Sequence, residues 1–221
     1  SYVQVVGAVY KNSDPSDIAV TAAGGLVGEV IQVWRPRELN THETEWGFSC
    51  MSYEISGALG IKMANPNKEV ISFVGDGSYL LNNTDIYSSV ITNNKLIIIV
   101  CDNGGFAVIN RLQLFKGGNE YNNLLKSSNT PGLVNVDFAK HAESMGAKSE
   151  HVNSISDLEE AFKRAKKSDV TYVISIKTHA YQWLEGSAFW DSPTLEIPTT
   201  KENKEALKLY KEGKNKQRQG V

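Results

Sequence analysis

The stretch EVISFVGDGSYLLNNTDIYSSVITNNKLIIIVCDNGGF, residues 69–106, limits the fold more than any other part of the chain. Two apolar, β-branched runs, 70–74 and 96–100, bracket an amphipathic segment. Runs of that length bounded by glycine and asparagine read as strands, and the segment between them supplies the helix of a right-handed parallel crossover. Each strand then ends in an oxygen-bearing side chain beside glycine. Asp76 lies between Gly75 and Gly77, and Asn103 is followed by Gly104 and Gly105. Open α/β sheets bind ligands at the carboxyl ends of their strands. Asp76 and Asn103, 27 residues and hence one βαβ repeat apart, are expected to meet there.

A carboxylate, a side-chain amide and the carbonyls of a glycine loop form an oxygen donor set. Such a set suits Mg²⁺ or Ca²⁺, which prefer oxygen and take diphosphate oxygens as their remaining ligands. Gly77 and Ser78 open the next helix, so their amides and the serine hydroxyl are placed to meet a phosphate. Together these features describe a metal-diphosphate site. A lone Gly-Asp-Gly is a common tight turn and implies nothing of the kind. The strand before it, the helix after it and the Asn-Gly-Gly at the end of the following strand carry the inference.

At this point the sequence resembles the thiamine diphosphate (TPP) enzymes, whose signature is Gly-Asp-Gly followed about one βαβ unit later by Asn-Asn. The resemblance implies that Asp76, the Asn103 side chain and the Gly105 carbonyl hold Mg²⁺. It also places Gly75, Gly77, Ser78 and Phe106 around the cofactor. Asp102 stands where the family usually has the first Asn; the ligand position itself is retained, and Asp102 would keep the ligands oriented. Mg²⁺ would anchor the diphosphate rather than touch the substrate, so Asp76 and Asn103 should matter for cofactor affinity first.

Along the rest of the chain, residues 2–10 are predicted as a helix, NSDPSD as a turn and residues 18–22 as a buried strand. Gly24 and Gly25 lead into an apolar helix over 26–34. A glycine pair between strand and helix is commonly just a tight turn; in TPP enzymes the corresponding turn faces the cofactor, which assigns Gly24 and Gly25 to it. A polar loop over 35–44 delivers EWGFSCMSYEISGALGIKMA. Its small residues Ser52, Ser56, Gly57, Ala58 and Gly60 let this helix approach a neighbour or ligand closely, with Ile55, Leu59 and Met63 as the core stripe. On the residues alone Met51 is core filler. The stretch is similar to a GxxxM segment of the TPP family, and that match makes Met51 the apolar wedge between the cofactor's two rings, with Phe48 and Ser49 beside it.

Residues 107–115 read as a helix, followed by KGGNEYNNLLKSSNTPG. This polar stretch is either an active-site cover or a surface loop; its descent from Asn103 favours a cover, with residues 117–132 closing over the site. A helix over 137–145, a strand over 147–152, a helix over 156–167 and a last strand over 171–177 complete the pattern. Ser156 and Glu159 have capping-box spacing. Residues 179–191 are aromatic-rich and irregular. The tail 201–221 interleaves acids with bases and reads as an exposed helix with a frayed end, set apart from a main domain over 1–200.

With 23 basic and 25 acidic residues, charge gives no argument for nucleic acid or a membrane. No apolar run approaches the roughly 18 residues of a membrane span and no signal peptide is read; the expected localisation, cytoplasmic, rests on the two cysteines, read as reduced. Cys50 and Cys101 sit in apolar stretches and read as small buried hydrophobes. His42 and Glu45 lack HExxH spacing, no histidine pairs with a cysteine at zinc-ligand distance, and no G-x-S-x-G elbow occurs. The chain begins at Ser1 rather than Met, as a processed, tagged or truncated piece would.

The expected fold is therefore α/β, a three-layer doubly wound parallel sheet with helices on both faces. Within the TPP enzymes, AAGGLVGE, EWGFSCMSYEISGALGIKMA and GSAFWDSP look like the trihydroxycyclohexanedione hydrolases of inositol catabolism. Those enzymes open 3D-(3,5/4)-trihydroxycyclohexane-1,2-dione to 5-deoxyglucuronate by hydrolytic C–C cleavage, with TPP as nucleophile and electron sink. Phe189 and Ser192 depart from the family's WWDVP-like run around Trp190 and Asp191. In this superfamily the glutamate that activates the cofactor lies in a separate pyrimidine-binding domain, donated across a dimer interface. No room for that domain remains, so the chain is expected to be the C-terminal part of a longer homodimer or homotetramer and inert alone. The alternatives are an acetolactate synthase-like or 2-oxo acid decarboxylase-like domain, or a non-catalytic diphosphate-binding subunit.

Overall fold

The computed structural model describes residues 1–130, 132, 135–184 and 194–218. Its elements in chain order are α1 (Tyr2–Asn12), β1 (Ile18–Thr21), α2 (Gly24–Val33), β2 (His42–Thr44), α3 (Tyr53–Ala64), β3 (Val70–Gly75), α4 (Asp76–Leu81), α5 (Thr84–Ile91), β4 (Ile97–Asp102), α6 (Ala107–Phe115), α7 (Phe138–Ser144), β5 (Lys148–Val152), α8 (Ile155–Lys166), β6 (Tyr172–Lys177) and α9 (Lys201–Lys216). The described strands form one sheet in the order β2-β1-β3-β4-β6-β5, and every pair is parallel.

Parallel strands must be covered on both faces, which is why β3 and β4 are almost wholly apolar instead of alternating. Successive side chains point to opposite faces, and the core divides accordingly. Ile97, Ile99 and Cys101 join a layer with α1, α2 and α8, while Ile98 and Val100 join α3, α5 and α7 on the other face. This is the expected three-layer arrangement. On the first face Trp34 lies edge-on to Tyr10 at 5.3 Å and to Phe73 at 5.9 Å, so the end of α2 is fixed to both α1 and the sheet.

Several expectations are corrected. The polar segment over 35–44 contains β2, a short edge strand paired with β1. The crossover between β3 and β4 is two helices, α4 and α5, broken at Asn82 and Asn83. Helix α3 begins only at Tyr53, and its buried side is Glu54, Ile55, Ala58 and Lys62. Met63 is 59% exposed and Leu59 is only partly covered. Cys50 is exposed, whereas Cys101 is buried as expected. The cap of α8 is Ser154, whose side chain accepts from the Asp157 amide, not Ser156.

Helix α9 is held to the body of the domain. Asn203 is buried and its Nδ2 donates to the Gly117 carbonyl at 2.7 Å. GSAFWDSP, with Phe189, Trp190, Asp191 and Ser192, lies outside the described residues. No described helix is long and apolar enough to cross a membrane.

Packing on both faces of the sheet sets what core substitutions should cost. Phe73→Ala should lower the unfolding free energy by about 3–5 kcal/mol, read from urea denaturation. Met63→Ala should stay within about 0.5 kcal/mol of the parent; a large loss there would restore Met63 to the core.

Candidate cofactor site

Register decides which side chains meet. Gly75 at the end of β3 is opposite Cys101 on β4. The next residues, Asp76 and Asp102, thus leave the sheet side by side, with Asn103, Gly104 and Gly105 following. The Gly105 amide donates to Asp76 Oδ2 at 2.6 Å, tying the two strand ends together. Asp76 is buried, and its Oδ1 has no hydrogen-bond partner among the described residues; nor has the buried Asn103 Oδ1. The Asn103 Nδ2 donates to the Tyr2 hydroxyl, which fixes the amide with its oxygen unspent. Orphaned buried oxygens on adjacent strand ends cost stability unless something takes their lone pairs. A hard divalent cation fits that demand, since it accepts carboxylate, amide and carbonyl oxygens.

The electrostatics agree with this donor set. Burial first, and the neighbouring Asp102 charge second, push the Asp76 carboxyl up to about 6. Asp102 is itself occupied: Oδ1 accepts from the Gly104 amide at 3.0 Å and Oδ2 from Lys177 Nζ at 2.5 Å. It shapes the glycine turn and is neutralised from β6, while Asp76 has no cationic partner among the described residues. Among the described residues no group of three or more His, Cys, Asp or Glu could hold a metal ion, so a metal here would depend on amide and backbone oxygen.

Two glycines are required by close approach. A Cβ on Gly105, whose φ is 139°, would sit 2.4 Å from the Asn123 carbonyl. That approach lets the Phe106 amide donate to Asn123 O at 2.7 Å and the Leu125 amide to Gly104 O at 2.9 Å, so the segment after α6 returns to the Asn103 turn. A Cβ on Gly77 would lie 2.6 Å from the Phe106 ring. Gly24 and Gly25 open α2 next to Val108 of α6, at the same end of the sheet.

The segment between β2 and α3 is irregular. Glu45 accepts from the Phe48 amide at 2.7 Å and the Cys50 amide at 2.5 Å, and Ser49 and Ser52 have φ of 51° and 74°. Met51 is 36% exposed on this turn, not within a helix, and Phe48 is almost fully exposed. Ser78 departs from expectation. Its Oγ donates to Glu54, at 3.0 Å to Oε1 and 2.9 Å to Oε2, and accepts from the Ser52 amide at 2.6 Å. The hydroxyl hydrogen is therefore directed at Glu54 instead of the site. With α4 only six residues long, the backbone amides at its start, not a long helix dipole, are what it offers an anion.

Residues 22–176 match the family described as thiamine pyrophosphate enzyme, C-terminal TPP binding domain. The chain belongs to that family. Proteins named 3D-(3,5/4)-trihydroxycyclohexane-1,2-dione hydrolase are similar to this TPP-binding domain. That of Bacillus licheniformis is 36% identical over 205 residues, 92% of this chain and 32% of the relative. That of Bacillus subtilis is 37% identical over 177 residues, 80% of this chain and 28% of the relative. The chain thus spans about a third of the length of the curated relatives it matches. Among solved structures, the thiamine diphosphate-dependent 4-hydroxybenzoylformate decarboxylase of Rhodococcus jostii RHA1 superposes with TM-score 0.68 at 20% identity, covering 81% of this chain and 32% of its own. Benzoylformate decarboxylase from Polynucleobacter necessarius gives 0.69 at 21% identity, covering 81% and 33%. At that identity the likeness is one of fold.

Three residues of this TPP-binding domain that contact the site were not singled out from sequence: Tyr2, Lys177 and Glu54. Tyr2 and Lys177 are distant in sequence from the motif and reach it only through the sheet order. Glu54 carried a local signal, a charged residue on the apolar side of its helix.

A sign follows from the position of Asp76. Its folded-state pKa, about 6, lies above the ordinary aspartate value of 3.8. The folded protein therefore holds the proton more tightly, and stability should rise as pH falls from about 7 towards 4. Without added divalent metal, Asp76→Asn should be more stable than the parent at pH 7.5, by on the order of 2 kcal/mol, and should lose that advantage near pH 4. Urea unfolding in chelator at the two pH values checks it.

Proposed function

We propose that this chain is the TPP- and Mg²⁺-binding part of a hydrolase that opens 3D-(3,5/4)-trihydroxycyclohexane-1,2-dione to 5-deoxyglucuronate, a step of inositol breakdown. The observation that carries the metal site is the pair of buried, unpartnered oxygens, Asp76 Oδ1 and Asn103 Oδ1. The substrate reading rests on the similarity to relatives that bear the hydrolase name. Bound TPP would supply the nucleophile and electron sink for cleavage of the ring bond.

In this reading Asp76, the Asn103 side chain and the Gly105 carbonyl hold Mg²⁺. The Gly75–Gly77 backbone and the Ser78 amide meet the diphosphate, and Tyr2 and Asp102 keep the ligands in place. Gly24, Gly25, Ser49, Met51 and Phe106 line the cofactor. The segment over 117–132, fastened to the Asn103 turn through Leu124, is the cover. Trp46 and Phe48 follow β2, and Phe106 and Ile109 follow β4; all four are exposed apolar groups at the carboxyl end of the sheet. They suit the face against which a pyrimidine-binding domain would close in a homodimer or homotetramer. The chain alone would then be inert, because the activating glutamate belongs to that domain.

Titration calorimetry tests the site. TPP should bind the full-length protein only with Mg²⁺, and Asp76→Ala and Asn103→Ala should each weaken binding by about tenfold or more, at least about 1.4 kcal/mol. Equal binding with and without metal would remove the metal assignment. A turnover assay offering the cyclic dione beside a panel of 2-oxo acids tests the substrate: turnover of the acids alone would replace the hydrolase with a lyase.

A further inference from the structure

Glu54 is a buried carboxylate that none of these roles uses. It is 1% exposed, and its hydrogen-bond partners among the described residues are hydroxyl and amide groups, with no cation. A core that needed only to be filled would be better served there by an apolar side chain, since burying a carboxylate without a counter-charge is costly. What the position offers instead is connectivity. Oε1 accepts from the Ala23 amide at 3.3 Å, and both oxygens accept from Ser78 Oγ. Ser78 Oγ in turn accepts from the Ser52 amide, and the Glu54 backbone carbonyl accepts from Ser72 Oγ on β3 at 2.8 Å.

Those contacts converge on three helix starts. Ala23 caps α2 immediately before Gly24 and Gly25, Ser52 caps α3 immediately after Met51, and Ser78 is the third residue of α4 after Asp76 and Gly77. A negative charge is favoured among helix N-termini, which offsets part of the burial cost. Removing it would free three chain segments to shift independently, although none would lose its own helix.

We propose that Glu54 is a positioning residue for cofactor binding, setting the Gly24–Gly25 turn, the Met51 turn and the start of α4 in one mutual arrangement through Ala23, Ser78 and Ser52. The inference rests on the TPP-binding reading above. Glu54 acts through its neighbours and does not itself touch the diphosphate, so its loss should appear in cofactor affinity out of proportion to its effect on folding.

The experiment compares Glu54→Gln, Glu54→Asp, Ser78→Ala and the Glu54→Gln/Ser78→Ala double variant in the full-length protein. Phe162→Leu on α8, across the sheet, serves as a stability control. Dissociation constants for TPP with Mg²⁺ are measured beside the thermal midpoint of the cofactor-free protein. Glu54→Gln should weaken TPP binding by about tenfold with a midpoint change no larger than that of Phe162→Leu, which should bind as the parent does. The double variant should lose no more than the worse single one, because both act through one network. Glu54→Asp, which keeps the charge, should recover part of the affinity. Parental affinity in Glu54→Gln, or affinities that simply follow the midpoints across all variants, would overturn the proposal. A parent protein that binds no TPP with Mg²⁺ present would remove the cofactor reading and this inference with it, an outcome distinct from failure at Glu54 alone.

Discussion

The hydrogen bond from the Gly105 amide to Asp76 Oδ2 joins the ends of two neighbouring strands, and the arrangement of the site follows from it. It spends one oxygen of the carboxylate on the protein and leaves the other unpaired. It also holds the Asn103 turn over the end of β3, where burial first and the Asp102 charge second raise the Asp76 pKa. Lys177 answers the Asp102 charge, and among the described residues no cation answers that of Asp76, so one buried negative charge is left over at the junction. The same turn, fixed by that bond, offers backbone groups to the segment coming back from α6. Ligand donors, charge and covering segment are thus set by the meeting of two strand ends.

Much of the fold was legible because the central strands are buried on both sides. Runs such as Ile97–Asp102 leave little alternative to a covered parallel sheet, and the glycine-flanked acid and amide mark which end is chemical. The pairing of Asp76 with the Asn103 turn needed only the βαβ repeat length. What stayed hidden depends on partners remote in sequence. His42–Thr44 has no apolar pattern, because an edge strand needs only its neighbour's backbone. Tyr2 reaches Asn103 because α1 packs on α8, remote in sequence, as well as on α2.

Helix α3 buries side chains that hydrophobicity alone would place in solvent. Apolar spacing predicts a core stripe of Ile55, Leu59 and Met63; Ile55 is buried as expected, yet Glu54, Ala58 and Lys62 share the buried side with it and Met63 turns outward. Lys62 is buried along its stem and delivers its ammonium to the Pro66 and Lys68 carbonyls, as long amphipathic side chains do. Glu54 is satisfied by helix starts. Hydrophobicity alone could rank neither above a methionine. Cys50 is exposed for a related reason: its apolar sequence neighbours lie on an irregular turn at the open end of the sheet, not in a core.

The all-parallel sheet also governs the order in which the molecule can assemble. In the centre, Ile97 pairs with Tyr172, and β1 pairs with β3 across α2, β2 and α3. Every strand pair is separated in sequence by at least one helix, so loop-closure entropy is spent before pairing returns it. During synthesis from the N-terminus, β4 carries an open and almost wholly apolar edge until β6 has emerged. A chain ending before Tyr172 would keep that edge, which is the surface through which unfinished sheets recruit one another.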